Sequence, residues 1–295
     1  MKRQPKRRAV FGAERDLRIP AGFFAVLLCL GSGAPQGMAQ QAAPARTIQA
    51  LIVTGMDLHN WKATAPVVAQ ELEKDPRIKA TILQDPHALA STPLDKYDVI
   101  VLHFMNWKVP APGEAARENL RKSVEGGKGL VLIHFACGAW QDWPEFRNLA
   151  GRVWDPKLRA HDPRGPFKVD IIVREHPITK GLESFETEDE LYTCLAGDRP
   201  IQVLATAKSK VDGKDYPMAF CFEYGPSTMP LDRLGAVSKA EPLGAALSLS
   251  KGGKGRVFHC VLGHDVKALA NPPVAELFRR GTAWAAGQPP VPEKR

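Results

Sequence analysis

Twice in this 295-residue chain a Gly-Lys-Gly turn opens a short apolar segment that ends in histidine. Gly127-Lys128-Gly129 leads through Leu130-Val131-Leu132-Ile133 to His134, and Gly253-Lys254-Gly255 leads through Arg256-Val257-Phe258-His259-Cys260-Val261-Leu262 to Gly263-His264-Asp265. A continuous apolar run of this length bounded by turn residues is a strand buried on both faces, which is the habit of parallel sheets covered by helices. In such sheets ligands bind outside the carboxyl ends of the strands, where loops vary without disturbing the packed core. Two imidazoles delivered to that rim therefore mark a candidate site.

The remaining apolar runs fit the same plan. Strands are expected at 50–54, 78–83, 98–104 and 129–135. Between them a helix begins near a Thr64 cap, with Pro66 in its first turn and Val67, Val68 and Leu72 facing inward, and another is opened by Pro112 and Gly113 and runs to Val124. Acidic Glu114 and Glu118 early in the second helix, with Arg121 and Lys122 late, follow the order that the helix dipole favours. Strand and helix alternating at this spacing imply parallel βαβ units with right-handed crossovers. The second half is less regular: strands are expected at 167–173, 201–206, 217–224 and 256–262, and a last helix starts at Asn271-Pro272-Pro273. The stretch 225–252, rich in Gly, Pro, Ser and Ala, is an insertion of unusual length for a compact domain.

The first 39 residues read as an export signal. Seven Lys and Arg residues precede an uncharged run from Ile19 to Leu30, and Gly37-Met38-Ala39 supplies small residues for cleavage before Gln40. That run is too short for a membrane span, which needs about 20 apolar residues, and no later segment approaches that length. The expected destination is the periplasm or the exterior, by the Sec route or, on Arg7-Arg8, the twin-arginine route. Against Glu14 and Asp16, the seven basic residues carry +5 of the formal +8. The mature chain, 40–295, is then nearly neutral, which argues against nucleic acid as a partner, and it is expected to form a single domain. Cys137, Cys194, Cys221 and Cys260 remain; the last three lie in apolar strand-like runs, as buried free thiols do, and a disulfide is the alternative.

The rim collects His59 with Asn60-Trp61, Asn106-Trp107, His134, and His264-Asp265, while His161-Asp162 and Asp189-Glu190 with Tyr192 come from intervening loops. Imidazole and carboxylate suit a divalent metal such as zinc, and His134 and His264 are the candidate ligands, although no HExxH spacing is present. His103, His176 and His259 read as structural, inside a strand or before a proline. Trp61 and Trp107 beside polar groups suit a sugar, whose C–H faces pack on rings while its hydroxyls take hydrogen bonds.

These residues together resemble the ThuA-like family, named for trehalose utilisation, over about 48–286. The resemblance rests on Val53-Thr54-Gly55 with His59-Asn60-Trp61, on the two Gly-Lys-Gly segments, and on Asp142-Trp143-Pro144, His176-Pro177-Ile178-Thr179 with Gly181-Leu182, and Asp189-Glu190-Leu191-Tyr192. It implies an α/β flavodoxin-like fold, similar to class I glutamine amidotransferases: a three-layer sandwich with a mostly parallel central sheet. It also implies a link to carbohydrate metabolism, often of keto sugars. The chain departs from the family where the insertion separates Tyr224-Gly225 from Lys254-Gly255. Amidotransferases carry a cysteine nucleophile in the turn after the strand at 129–135, but this turn reads His134-Phe135-Ala136, with Cys137 too late, so glutamine hydrolysis is not expected.

Three functional readings follow. The first is an exported enzyme acting on a sugar or glycoside, with His134, His264, Glu190 and Asp265 as catalytic groups, Asp265 orienting His264, and His59, Trp61, Asn106, Trp107, Tyr192 and His161 holding a small carbohydrate. The second is a hydrolase in which Cys137 is activated by His264 and Asp265. The third is a carbohydrate-binding module without catalysis, whose rim imidazoles would not converge. The sequence sets no oligomeric state.

Overall fold

The apolar runs alternate strictly in which face they bury, and that alternation builds the layers. The computed structural model describes residues 46–56, 58–225 and 254–290. The expected export signal and the expected insertion, Gly225 apart, lie outside the described residues; the described residues all belong to one compact unit beginning at Pro44. In β1 (Ile48–Met56), Ile48, Ala50 and Ile52 face one core while Leu51 and Val53 face the other. In β3 (Val99–Met105) and β4 (Gly129–Ile133) the same division recurs: Val99, Val101, Val131 and Ile133 on one side, Ile100, Leu102, Leu130 and Leu132 on the other. Side chains alternate across a strand, so a fully apolar strand requires cover on both faces.

Helices provide that cover. α1 (Trp61–Glu73) joins β1 to β2 (Ile78–Leu83), and its Val68 and Leu72 share the first core with Val274, Leu277 and Phe278 of the last helix, α5 (Pro272–Ala285). α2 (Glu114–Glu125) and α3 (Pro144–Ala150) bring Leu120, Val124, Phe146 and Leu149 to the second. The result is the expected three-layer sandwich. α1 begins three residues earlier than the expected cap: Asn60 accepts from the Ala63 amide at 3.4 Å, Thr64 Oγ1 donates to the Asn60 carbonyl at 3.0 Å, and Pro66 lies inside the helix.

The nine-stranded sheet runs β2-β1-β3-β4-β11-β10-β9-β6-β7, with β11 at Gly255–Cys260, β10 at Asp215–Tyr224, β9 at Gln202–Lys208, β6 at Gly165–Ile171 and β7 at Phe185–Asp189. The first five strands are parallel to one another, the parallel ladder that the alternation predicted. Beyond β11 every pairing is antiparallel. Four reversals restore the original direction, so β7 also ends on the rim where β1, β3, β4 and β11 end. A separate pair, β5 (Val153–Trp154) and β8 (Leu195–Ala196), lies antiparallel.

The repeated Gly-Lys-Gly turn has a packing cause. A Cβ at Gly129 would stand 2.6 Å from the backbone of Ala285, and one at Gly255 would stand 2.3 Å from the Val124 carbonyl oxygen. Each glycine lets a strand start against the end of a helix, which fixes how far along the sheet the strand then reaches. Among the described residues no helix is long and apolar enough to cross a membrane. The short α4 (Val266–Leu269) follows the loop after β11.

Candidate metal centre

Three loops and one distant strand end converge on a single point. After β1 the chain turns through Met56, Leu58 and His59 at φ values of 69°, 56° and 49°, and after β4 His134 stands at φ 46°. Non-glycine residues in the left-handed region cost about 1–3 kcal/mol each and persist where the surroundings impose them, often at functional sites. Here the strained turns direct His59 and His134 to the same place: their ring centroids are 5.2 Å apart, and His59 stacks on Phe135 at 4.1 Å.

His264 comes from the loop after β11 and Glu190 from the residue after β7. Asp189 explains how so distant a strand reaches the site, because its carboxylate accepts the Gly263 amide at 2.6 Å and the His264 amide at 3.2 Å. The far edge of the sheet is thereby tied to the β11 loop. Glu190 Oε2 lies 3.1 Å from His264 Nδ1 and 3.4 Å from His134 Nε2, and His134 Nε2 lies 3.3 Å from His264 Nδ1. His59, His134, Glu190 and His264 each offer one ligand atom, and all four atoms lie within 4.8 Å of one another.

The electrostatics follow from this crowding. Burial pushes the Glu190 carboxyl up, but the adjoining His134 and His264 imidazoles outweigh it and hold it well below the usual carboxylate range. The bond to Glu190 raises His264 despite its partial burial. His59 is lowered to about 3, first by burial and then by the neighbouring His134 and His264. The centre thus carries a carboxylate and holds the His59 imidazole neutral, the protonation states that ligate metals.

Three features make these residues fit a divalent ion. His134 Nδ1 donates to the Val261 carbonyl at 2.7 Å, which leaves Nε2 with its lone pair toward the cluster; ligating histidines are commonly oriented this way. His59 Nδ1 is buried with no hydrogen-bond partner, a costly condition that a ligand would relieve. Three imidazoles with one carboxylate form a donor set for zinc or a neighbouring first-row ion.

Around this centre lies a cavity of about 260 Å³, walled by His59, Met105, Trp107, Phe135, Trp154, His161, Glu190, Tyr192 and His264 among others. Tyr192 O–H lies 3.0 Å from His134 Nε2. Burial, then the nearby Cys137 and Glu190, pushes its phenol well above the ordinary value, so it stays a donor. His161 gives Nδ1–H to the Asp162 carbonyl at 2.7 Å, which leaves Nε2, 3.8 Å from Glu190 Oε1, able to take a proton. Trp107 Nε1 donates to the Gly138 carbonyl at 3.0 Å, and Asn106 Oδ1 accepts the Trp140 amide at 2.8 Å.

Three expectations need correction. Asp265 does not orient His264 through its side chain: it caps α4, accepting the Ala268 amide at 2.9 Å, and pairs with Arg164 at 2.6 Å, while Asp189 holds the His264 backbone. Trp61 is not in the cavity wall; the loop places Leu58 and His59 there, and Trp61 starts α1 with Lys62 5.6 Å above its ring. Cys137 is not an activated nucleophile, since it is fully buried, burial pushes its thiol well above the ordinary value, and His264 bonds Glu190 and His134 instead. All four cysteines of the described residues are buried and free. Asn106, Trp107, Tyr192 and His161 stand at or beside the cavity. His59, expected as a sugar contact, belongs with the metal-capable donors. Trp154, the Val261 carbonyl and the tie that Asp189 makes to the β11 loop were not foreseen; only a strand two residues long marks Trp154, and a carbonyl leaves no signal in sequence.

Fold and site together define a flavodoxin-like α/β protein with an imidazole and carboxylate centre on the carboxyl rim of its sheet. The family model ThuA, described as trehalose utilisation, matches residues 49–285, and the chain belongs to that family. This supports a carbohydrate-related role. Among solved structures, a ThuA-like protein from Parabacteroides merdae ATCC 43184 is 23% identical with a TM-score of 0.67, covering 84% of this chain and 93% of its own. A second ThuA-like protein, from Bacteroides uniformis ATCC 8492, is 20% identical with a TM-score of 0.59, over 86% and 99%. A glutamine amidotransferase from Thermotoga maritima is also matched, at 11% identity and a TM-score of 0.38, over 59% and 71%. The two ThuA-like structures speak for the fold. No curated protein matches the sequence.

Proposed function

We propose that this chain is a metal-dependent enzyme acting on a small carbohydrate, a sugar or glycoside, with His59, His134, His264 and Glu190 holding a divalent ion such as zinc. The observation that carries the reading is the convergence of these four donors within 4.8 Å at the wall of a cavity with aromatic sides. When bound, the ion would supply Lewis acidity toward a sugar carbonyl or hydroxyl and lower the pKa of coordinated water. The chain's own residues do the rest. His161 Nε2 accepts or returns a proton at the cavity wall, and Tyr192 O–H, beside the His134 ligand atom, donates to a sugar oxygen. Trp107 and Trp154 offer ring faces to C–H groups.

The convergence also weighs against the binding module, which predicted scattered imidazoles. The test is turnover of a panel of sugars, glycosides and their keto derivatives by the full chain, before and after chelation. Turnover abolished by chelator and restored by a divalent ion is the expected result; turnover indifferent to chelation, or sugar binding with no turnover in the loaded protein, contradicts the reading. We propose as well that residues 1–39 direct export to the periplasm or beyond and are then removed. A secreted product whose mass begins at Gln40 is expected, and an uncleaved cytoplasmic product contradicts it.

A further inference from the structure

A second cavity adjoins the first. It measures about 440 Å³ and is walled by Asn106, Trp107, Ala111, Gln141, Asp142, Trp154 and Pro156, so that Trp107 and Trp154 belong to both cavities. These two rings meet edge to face, 4.9 Å between centroids. Behind them Trp154 packs at 88° against Tyr192, whose hydroxyl touches His134. Contact is therefore continuous from the proposed metal centre, through Tyr192 and Trp154, to Trp107 at the outer mouth. The Trp107 ring is anchored by its N–H bond to Gly138 yet remains 44% exposed. A large aromatic fixed in place with an open face at a cavity mouth is a stacking platform, suited to something with an apolar face of its own.

The rest of the outer wall indicates what that is. Asn106 uses its Oδ1 on the Trp140 amide, which leaves its NH₂ to donate. Asp142 is paired with Arg117 at 2.5 Å and stays an acceptor, and Gln141 is exposed with both functions. Among the described residues the outer wall includes no Lys or Arg, and the carboxylate of Asp142 is already paired with Arg117. Such a wall offers an anionic group no partner of its own and suits a neutral ligand with many hydroxyls and an apolar face. The inner cavity alone falls short of the roughly 300–1,000 Å³ of ordinary ligand sites, and the two joined lie within it.

We infer that the outer cavity is a second sugar subsite: the ligand is a neutral glycoside of two rings, one beside the His and Glu centre, the other stacked on Trp107 and bonded by Asn106, Gln141 and Asp142. This rests on the carbohydrate reading proposed above. The test is calorimetry of the zinc-loaded full chain with glucose, glucose 6-phosphate, trehalose and cellobiose, each also with Trp107→Ala and Gln141→Ala. At least one disaccharide should bind about 10-fold tighter than glucose, the gain that one aromatic face supplies. Glucose 6-phosphate reports the pull of the loaded ion on an anion, and its ratio to glucose should be unmoved by Gln141→Ala, which lies outside the inner wall. Trp107→Ala should bring the disaccharide-to-glucose ratio to about one, and Gln141→Ala, which lies outside the inner cavity's wall, should lower it as well. Glucose binding as tightly as every disaccharide, or a ratio unmoved in both variants, overturns the second subsite while leaving the carbohydrate reading standing. Binding of none of the four sugars overturns both.

Discussion

His134 and His103 are both completely buried, yet they occupy different chemical worlds. His103 sits inside β3, where Nδ1 meets Thr54 Oγ1 at 3.0 Å, Nε2 meets nothing polar, and burial lowers its pKa to about 3. His259, inside β11, is alike: Nδ1 reaches the Ala150 carbonyl at 3.2 Å, Nε2 is unpartnered, and burial, partly opposed by that bond, lowers it to about 4. His134 is one residue past the end of β4, and its Nε2 faces Tyr192, Glu190 and His264. Burial alone does not distinguish a ligand from a core residue; what the second nitrogen meets does. The strand interior supplies only apolar neighbours, and the rim supplies other loops.

The sharpest way to break this contrast is paired substitution. His134→Ala should abolish metal retention and reduce turnover by more than the 10–100-fold typical of outer partners. His103→Ala should keep its metal and lose about 1–3 kcal/mol of stability, because Thr54 loses its partner and a void opens; denaturant melts and metal assays separate the two outcomes. Tyr192→Phe comes next, removing only the hydroxyl beside His134. With the Nε2 lone pair given to the ion, the hydroxyl is left to donate to substrate, so turnover should fall about 10-fold, the worth of one neutral hydrogen bond, with metal affinity nearly unchanged; an unchanged rate would show that the hydroxyl plays no part.

Titration sharpens the comparison further. Histidines with depressed folded pKa values stay neutral while the unfolded chain protonates below its ordinary 6.5. Between 6.5 and their folded values of about 3 for His103 and 4 for His259, the unfolded state therefore binds more protons, and stability falls as pH falls. Each contributes a slope of about 1.4 kcal/mol per pH unit in that window. His264 has the opposite sign: its pKa is raised, so its contribution is present below 6.5 and lost as pH rises through the folded value. The metal-free protein should melt at progressively lower temperature from pH 7 to pH 5, by circular dichroism. His103→Leu should flatten that slope, and a slope unaltered by the substitution would contradict the assignment. The smallest effect belongs to Asp265→Asn, which keeps the cap on α4 and loses one surface pair, worth about 0–1 kcal/mol. Turnover reduced tenfold would restore Asp265 to the active machinery.

The parallel half was legible because its strands are apolar throughout and end in turn residues, which fixed β1, β3 and β4 to within two residues at each end and put His134 and His264 on one rim. The antiparallel half was legible only as strands, and β7 not even as that, since Asp189-Glu190 read as loop. No pattern within 165–189 announces that four reversals return β7 to the same edge, or that Asp189 ties it to Gly263. Adjacency in sequence misled at Asp265, which spends its carboxylate on a helix cap, and at Trp61, which begins a helix while His59 turns inward at positive φ. Conversely the Gly-Lys-Gly repeat marked the right strands, although its cause, helix ends pressed on Gly129 and Gly255, is a tertiary contact.

The most direct test of the central claim is the divalent metal content of the purified full chain after loading with zinc and desalting, for the unaltered protein, His59→Ala and His103→Ala. About one ion per chain in the unaltered protein and in His103→Ala, with almost none in His59→Ala, is the predicted result. No retained ion in the unaltered protein, or equal retention in all three, would contradict it.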